Sequence, residues 1–320
     1  MELIQNQKIQ ILQKLGEGFS SNVYICKFQN KEYAIKILKD NPTSKNYFEK
    51  EISILKKINN NYITNLITYG NSKFEFDKNT ISNNYYIILD LGKKGELFNY
   101  ILYPKKGFSE SQTRYIFKQI LKGVKSIHDN GICHLDLKIE NIIIDEFYNI
   151  KISDFGFSID NSDKQLINIF LGSEKYKAPE IILKKPYNGF FADIFSLGVI
   201  LFVILTGNYP FKSARKYDIC YSNIIKGKID NYWFLLKKKI FGDNDNNLPS
   251  EEFRDLFIKM IQFEPNDRIS INEILNHPWM NKDLSTKDDI VNEFKNREHC
   301  FNNNIVNCNC SLVLEKKSKE

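Results

Sequence analysis

The sequence has few of the residues that mark secreted or disulfide-bonded proteins. Its 320 residues include six cysteines, and four of them stand far apart at positions 26, 133, 220 and 300. That spacing is not typical of a disulfide framework, so we expect a reducing compartment, either cytoplasmic or, as the alternative, nuclear. The first ten residues are too polar for a signal peptide.

Long hydrophobic runs are also lacking. The one segment that suggests a membrane span, 194–206, has 13 residues, and Asp193 adjoins it. A bilayer requires roughly 20 apolar residues in a helix. We therefore predict a buried core helix and no membrane partner.

The charge pattern argues against a nucleic-acid-binding protein. The net charge is +6, from 45 basic and 39 acidic residues that are scattered rather than gathered in one stripe. This pattern predicts a solvated surface and no nucleic-acid partner. The chain also has no D-x-D-x-D-G calcium loop and no G-K-S/T phosphate loop.

The hydrophobic periodicity that is present changes character near residue 90. Before that point we predict strands and one amphipathic helix; after Gly95 we predict mainly helices and short apolar strands. The predicted strands are 9–15, 22–28, 31–38, 85–91, 142–144 and 150–152, and the predicted helices are 45–58, 109–128, 193–206, 250–262 and 271–275.

The predicted fold is therefore α+β with two lobes: a small antiparallel β-sheet lobe with one helix, about 1–90, and a larger helical lobe, 92–279. Ser109 and Gln112 predict a capping box at the first helix of the larger lobe. The polar segment 281–320 is predicted to be a flexible tail, and a segment that folds back to inhibit the domain or to bind calmodulin is the alternative. The Asn-rich stretch 243–247 is predicted to be a loop insertion.

A glycine turn between the first two strands is a candidate phosphate cradle. Gly16 and Gly18 would let the backbone approach phosphates closely. Ser21 occupies the place where a third glycine would complete the pattern. An ordinary hairpin turn is the alternative interpretation.

A lysine and a glutamate are candidate partners beside that cradle. Lys36 ends a strand 18 residues after Gly18, and the next helix carries Glu49 and Glu51. At 100° per residue Glu51 lies near the apolar face of the helix, whereas Glu49 points away. Glu51 is therefore the acid that can reach Lys36. A surface lysine with a buried stem and a surface glutamate are the alternatives.

The polar residues around two later strands make a more specific pattern. Asp136, Lys138 and Asn141 precede strand 142–144, and Asp154 follows the next strand. Asn141 and Asp154 supply the oxygen ligands that Mg²⁺ prefers. Asp136 can accept a hydroxyl proton, and Lys138 can neutralise charge on a transferred group. With Lys36, these residues predict phosphoryl transfer from ATP with Mg²⁺.

Together these motifs resemble the eukaryotic protein kinases of the serine/threonine type. The matching motifs, across about 9–279, are the Gly-rich loop, A-I-K ending at Lys36, H-x-D-L-K-x-E-N, D-F-G from Asp154 and A-P-E ending at Glu180. The segments 86–98 and 276–279 are most similar to the calcium/calmodulin-dependent kinase group. The resemblance implies protein substrates, and basic residues near the acceptor are one option. A calmodulin-like regulator has no support in the sequence.

The resemblance also implies further site residues. It places Val23, Ala34 and Ile143 around adenine and Leu89 at the back of the ATP pocket. It places Asp90 and Leu91 on the hinge between the lobes. Glu96 would reach the ribose or a basic substrate residue. It further implies that Asp193 anchors the catalytic loop and that Arg268 pairs with Glu180.

Several residues depart from the kinase pattern. Phe195 stands where a tryptophan is usual, and Val203 where many members have a glutamate that binds substrate arginine. Leu135 replaces the arginine that normally pairs with a phosphorylated residue, and the usual phosphorylation position is occupied by Ile169. Because both partners of that switch are missing, we predict an activation segment that orders without phosphate.

Two other readings compete with an active kinase. A pseudokinase or scaffold would bind nucleotide without transfer, but such proteins typically lose the lysine, the base or the metal aspartate, and all are present here. A zinc site formed by His299, Cys300, Cys308 and Cys310 matches no strong ligand spacing.

Overall fold

Alternation of apolar and polar residues near the start of the chain produces an antiparallel sheet. The computed structural model describes residues 9–18, 20–77, 80–102, 104–241 and 248–302. Its first sheet has the strand order β1-β2-β3-β5-β4. The strands are β1 Gln10–Glu17, β2 Ser21–Phe28, β3 Lys31–Leu38, β4 Leu66–Asp77 and β5 Thr80–Leu89.

One helix packs on this sheet, as predicted. Helix α1, Ser44–Leu55, buries Phe48, Ile52 and Leu55 against β4 and β5. The same face buries Glu51, whose side chain is 4% exposed. The helical period therefore directs one acid toward the sheet and leaves Glu49 on the exposed side.

Strand β4 was not predicted from the sequence. It is an edge strand, paired only with β5 in the described sheet, and its middle is the polar run Asn71, Ser72 and Lys73, all exposed. Polar residues of low β propensity are usual on edges, where they discourage pairing with other chains. The pattern therefore lacked the apolar alternation that marks a half-buried strand.

The second lobe is mainly helical. Its elements are α2 Leu97–Leu102, α3 Glu110–Asp129, β6 Ile132–Cys133, β7 Ile142–Ile144, β8 Ile150–Ile152, β9 Ile159–Asp160, α4 Pro179–Ile182, α5 Gly189–Thr206, α6 Ile219–Ile225, α7 Ile229–Leu236, α8 Glu251–Met260, α9 Ile271–Leu275 and α10 Lys287–Asn302. Ser109 caps α3, with reciprocal hydrogen bonds to Gln112, as predicted. The α+β, two-lobed fold is confirmed.

Helix α5 forms the centre of the larger lobe. Among the described residues it is the one helix long and apolar enough to cross a membrane by length and composition, but 78% of it is buried inside the protein. It packs against α3 and α8. That burial is what the sequence predicted for segment 193–206, a core helix.

The predicted flexible tail is wrong for residues 287–302. These residues form α10, which packs on α2 and buries Ile290, Phe294 and Cys300. The sequence suggested a tail because α10 has few apolar positions. Residues 303–320, with Cys308 and Cys310, lie outside the described part of the chain, as does the predicted loop insertion at 243–247.

A buried arginine holds α10 in place. Arg297 is 2% exposed and donates hydrogen bonds to the carbonyl oxygens of Tyr100, Lys106 and Gly107, at 2.7–2.9 Å. Its guanidinium carbon lies 3.7 Å from the centre of the Phe108 ring. The buried guanidinium is thus stabilised by backbone carbonyl groups of α2 and of the loop between α2 and α3, which come together only in the folded protein.

Replacement of this arginine tests the docking of α10. We expect Arg297→Met to lower the free energy of unfolding by about 3 kcal/mol, because three buried carbonyls lose a charged donor. Lys295→Met, at an exposed position of the same helix, is the matched control. Urea denaturation measures both variants, and equal stability of the two would contradict the packing of α10.

Candidate active site

Lys36 joins the two lobes through two carboxylates. Its Nζ lies 2.8 Å from both carboxylate oxygens of Glu51 and 3.0 Å from Asp154 Oδ1. Lys36 comes from β3, Glu51 from α1, and Asp154 from the loop after β8. The sequence predicted this convergence, including the choice of Glu51 over Glu49.

The Lys36 ammonium and the Asp154 carboxylate stabilise each other's charge, whereas burial raises the pKa of Glu51. Burial by itself lowers the pKa of Lys36, but the carboxylates of Asp154 and Glu51 outweigh that effect and raise it. The Lys36 ammonium lowers the pKa of Asp154 to about 2. Because that folded-state pKa is below the ordinary value of 3.8, the pair contributes stability above about pH 4 and loses it as the pH falls toward 2.

The second group of predicted residues surrounds Asp136. Lys138 Nζ lies 2.7 Å from Asp136 Oδ2, and Asn141 Nδ2 lies 2.9 Å from the Asp136 carbonyl oxygen and 3.3 Å from Oδ2. Ser173 donates from Oγ to Asp136 Oδ1 at 3.0 Å. The carboxylate is 4% exposed and is therefore held in one orientation by three donors.

Asp193 fixes the backbone of this loop. Its carboxylate accepts the backbone N–H groups of His134 at 2.8 Å and Leu135 at 2.9 Å, and its Oδ2 lies 2.9 Å from His128 Nε2. Leu135 has a φ of 63°, a left-handed conformation that a branched side chain rarely adopts. The buried acceptor holds the loop in that strained geometry.

Ser153 connects the two groups. Its backbone N–H donates to the Asn141 carbonyl oxygen at 2.9 Å, and its Oγ donates to the same oxygen at 3.0 Å. His134 Nε2 lies 3.1 Å from the Ser153 carbonyl oxygen, and the His134 ring packs edge-to-face on Phe155. These contacts therefore fix the position of the loop that carries Asn141 relative to the loop that carries Asp154.

The predicted adenine-binding residues share one face of the sheet. Val23 is paired with Lys36 across β2 and β3, and Ala34 with Leu89 across β3 and β5. Directly opposed residues, and residues two apart on a strand, point to the same side. These apolar side chains therefore lie on the face that carries the Lys36 amine. Leu89 is 9% exposed.

The connection between the lobes lies against Ile143. A β-carbon placed on Gly92 would be 2.8 Å from Ile143 Cβ, and Glu96 forms a bridge with Ile143. Asp90 directs its carboxylate to Asn65 and Lys151 rather than to the sheet face. At the predicted hinge residues Asp90 and Leu91, therefore, the backbone groups rather than the Asp90 carboxylate are available to a ligand. Burial, followed by the nearby Glu140, raises the pKa of Glu96.

The glycine turn joins β1 to β2. The Gly18 N–H donates to the Ser21 carbonyl oxygen at 2.8 Å, and Ser21 is 5% exposed. Among the described residues, no atom lies within 4 Å of a β-carbon placed on Gly16. Gly16 therefore borders open space beside the sheet face, as a phosphate cradle requires.

Comparison with known proteins shows the family to which the chain belongs. Residues 9–280 match the family described as "Protein kinase domain". The chain belongs to the protein kinase family. Its named relatives are serine/threonine kinases, so the chain is a protein serine/threonine kinase domain, a phosphotransferase.

Three relatives illustrate the similarity. Probable serine/threonine-protein kinase MARK-B of Dictyostelium discoideum is 36% identical over 86% of this chain and 36% of its own length. Probable serine/threonine-protein kinase KCC4 of Saccharomyces cerevisiae is 36% identical over 75% and 21%. CBL-interacting serine/threonine-protein kinase 13 of Arabidopsis thaliana is 32% identical over 86% and 51%. The chain thus spans between a fifth and about half of these relatives.

The activation segment of this kinase domain, 154–180, is held by side-chain and backbone contacts. Ile167 exchanges backbone hydrogen bonds with Tyr187 at 2.8 and 3.1 Å, and the Tyr187 hydroxyl donates to the Ile169 carbonyl oxygen. At its end, Arg268 binds both Glu180 oxygens at 2.6–2.7 Å, as the resemblance implied.

Two departures from the kinase pattern are accommodated by packing. Phe195 is fully buried against Phe211, and the Arg268 guanidinium lies 5.1 Å from the centre of its ring. Val203 is 3% exposed within α5.

Sequence analysis missed two functional contacts. Ser173 was not singled out as a site residue, yet its hydroxyl holds the carboxylate of Asp136, the predicted base. His128, near the end of α3, was not singled out, yet it binds the anchor Asp193. The G-S pattern before A-P-E could have signalled Ser173, whereas a histidine at a helix end gave no signal for its partner.

A pair of glutamates on one helix tests the Lys36 contact. We expect Glu51→Gln to lower kcat/KM by about 10- to 100-fold, because a misplaced lysine no longer positions the phosphates. Glu49→Gln, on the exposed side of α1, is the matched control and should retain activity. Steady-state phosphorylation kinetics measure both variants; an equal loss in the two would refute the role of Glu51.

Proposed function

We propose that this domain transfers the γ-phosphoryl of Mg-ATP to serine and threonine hydroxyls of proteins, with Asp136 as the base. The observation that supports this most is the Asp136 carboxylate, held by Lys138, Asn141 and Ser173. An incoming hydroxyl can give its proton to Asp136 as its oxygen attacks the γ-phosphorus, while the bond from that phosphorus to the bridging oxygen breaks and ADP leaves. The Lys138 ammonium then offsets charge on the transferred group.

The donor set fits Mg²⁺. Asp154, with a pKa of about 2, is an ionised oxygen ligand at neutral pH. The Asn141 amide nitrogen is used in hydrogen bonds to Asp136, which leaves its carbonyl oxygen for a cation. In the described residues no cluster of three or more His, Cys, Asp or Glu side chains could hold a metal. Two protein oxygens, completed by phosphate oxygens and water, are the ligand set typical of Mg²⁺.

Lys36 and the sheet face fit the nucleotide. The Lys36 ammonium, held between two carboxylates, can reach phosphate oxygens. Val23, Ala34, Leu89 and Ile143 provide apolar surface for adenine, and Gly16 and Gly18 provide backbone for the phosphates. Mg-ATP would supply the phosphoryl group and the divalent charge, while the protein positions both.

Replacement of the base tests this proposal. We expect Asp136→Asn to lower phosphate transfer to a generic protein substrate by about 10²- to 10⁴-fold, the usual contribution of a positioned base. Binding of nucleotide with Mg²⁺ should persist, because Lys36 and Asp154 remain. Asp129→Asn, at an exposed site of α3, is the control. Transfer of radiolabelled phosphate measures activity. If the wild-type protein bound nucleotide but transferred no more phosphate than Asp136→Asn, the result would favour a pseudokinase.

We further propose that the domain needs no phosphate on its activation segment. Leu135 cannot bind a phosphate, and Ile169 cannot carry one. The segment is nevertheless held by the contacts of Ile167, Ser173 and Glu180 described above. These contacts supply the order that an arginine–phosphate pair supplies in other kinases.

Phosphatase treatment tests this independence. We expect activity to remain within about twofold after exhaustive dephosphorylation, because no charge-assisted pair is lost. Mass spectrometry should verify removal of phosphate, and a kinase that requires phosphorylation serves as the treated control. A fall to background would refute the proposal.

We also propose that kinship with the calcium/calmodulin-dependent group lies in the catalytic domain and not in calmodulin regulation. Helix α10 has four acidic residues, Asp288, Asp289, Glu293 and Glu298, against three basic ones. A calmodulin target is typically a basic amphipathic helix. For location we propose the cytoplasm or nucleus, supported by the lack of a disulfide among the four cysteines of the described chain.

A further inference from the structure

Lys177 lies beside the base but has no assigned role. It stands between the buried residues Tyr176 and Ala178 and is itself partly exposed. A β-carbon placed on Gly172 would lie 3.8 Å from Asp136 Oδ1 and 3.9 Å from Lys177 Cε. The lysine side chain and the catalytic carboxylate therefore both lie close to Gly172.

The other cations around the base are engaged. Lys138 binds Asp136 itself at 2.7 Å. The Lys175 amine lies over the Tyr209 ring, 4.1 Å from its centre, and Arg215 pairs with Glu174 at 3.0 Å. Across the described ranges, no hydrogen bond or ion pair is formed by the Lys177 side chain. Its charge is thus available to a ligand.

The carboxylates of the same segment are engaged as well. Glu140 accepts the Tyr176 hydroxyl at 3.1 Å, Glu174 pairs with Arg215, and Glu180 binds Arg268. No carboxylate of the described protein neutralises Lys177. An ammonium at the mouth of a site, with no internal partner, attracts negative charge on whatever binds there.

A substrate places its own residues next to this lysine. The acceptor hydroxyl must reach Asp136, and consecutive residues of an extended chain advance about 3.3–3.6 Å. A residue one or two positions from the acceptor therefore comes within reach of Lys177, whose stem is long and flexible. Resting on the proposed function, we propose that Lys177 selects substrates with an acidic residue within two positions of the phosphorylated serine or threonine.

This selectivity differs from a preference for basic residues and is compatible with it. Glu96, beside Ile143 and under the connection between the lobes, can select a basic residue elsewhere in the substrate. Val203, however, supplies no charge, and the Glu140 carboxylate already accepts the Tyr176 hydroxyl. The Glu140 carboxylate keeps its negative charge, because a hydrogen bond from a neutral hydroxyl does not cancel it. Close to the acceptor, Lys177 therefore adds a positive charge that no carboxylate of the described residues pairs with.

A peptide series with paired substitutions tests the inference. Each peptide carries one serine, and either aspartate or its neutral isostere asparagine stands at one of the four positions within two residues of that serine. We expect kcat/KM to be about fivefold higher for aspartate at one or two positions, as for a partly exposed ion pair. Lys177→Met should bring this ratio near one, and Lys177→Glu should favour a lysine peptide instead.

Two further variants control the interpretation. Lys177→Arg keeps the charge and should keep the preference. Lys175→Met removes a charge two residues away and should also keep it, because that amine lies over Tyr209. A wild-type ratio near one at all positions, or an equal loss in Lys175→Met and Lys177→Met, would overturn the role of Lys177 while leaving the kinase function intact. Lack of Asp136-dependent transfer to every peptide would instead overturn the proposed function and this inference with it.

Discussion

The contact of Lys36 with Glu51 and Asp154 is the interaction on which the site depends, because it ties three elements together. It links the sheet, helix α1 and the loop after β8, with nitrogen–oxygen distances of 2.8–3.0 Å. A buried ion pair of this kind adds little net stability, since desolvation offsets its attraction. It acts on geometry: if α1 moved away from the sheet, the lysine would lose the partner that positions it for phosphates.

A second buried carboxylate does for the catalytic loop what Glu51 does for Lys36. Asp193, on core helix α5, accepts two successive backbone N–H groups and so holds Leu135 in a left-handed conformation. The activation segment is then secured at Ser173 and Glu180. Leu135 and Ile169 cannot form the arginine–phosphate pair of other kinases. The segment is nevertheless ordered, because the contacts of Ser173 and Glu180 hold it. In the part of the chain that the structure describes, the Lys177 side chain forms no ion pair in this arrangement.

Prediction from the sequence succeeded where chemistry is carried by short, local patterns. The predicted base Asp136, Lys138 and the predicted oxygen ligands Asn141 and Asp154 lie within two motifs that the fold brings together, and the helical period distinguished Glu51 from Glu49. It failed where burial depends on distant partners. Strand β4 has a polar middle because it lies at a sheet edge, and α10 appeared to be a tail because its central buried side chain, Arg297, is charged. Hydrophobic periodicity cannot detect a charge that is buried against backbone carbonyls.

By itself the sequence determined the two-lobed fold, because residue types and their periodicity fix the order of strands and helices. From residue types at fixed spacing it also predicted the reacting groups and an activation segment without the usual phosphate switch. Tertiary structure alone decided that Ser173 and His128 support the site and that residues 287–302 belong to the larger lobe. It also decided that Lys177 lies close to Gly172, as Asp136 does, with no ion-pair partner among the described residues. Each of these depends on contacts between residues far apart in the chain. Such contacts form only after the hydrophobic core has brought the elements together, so no local pattern encodes them.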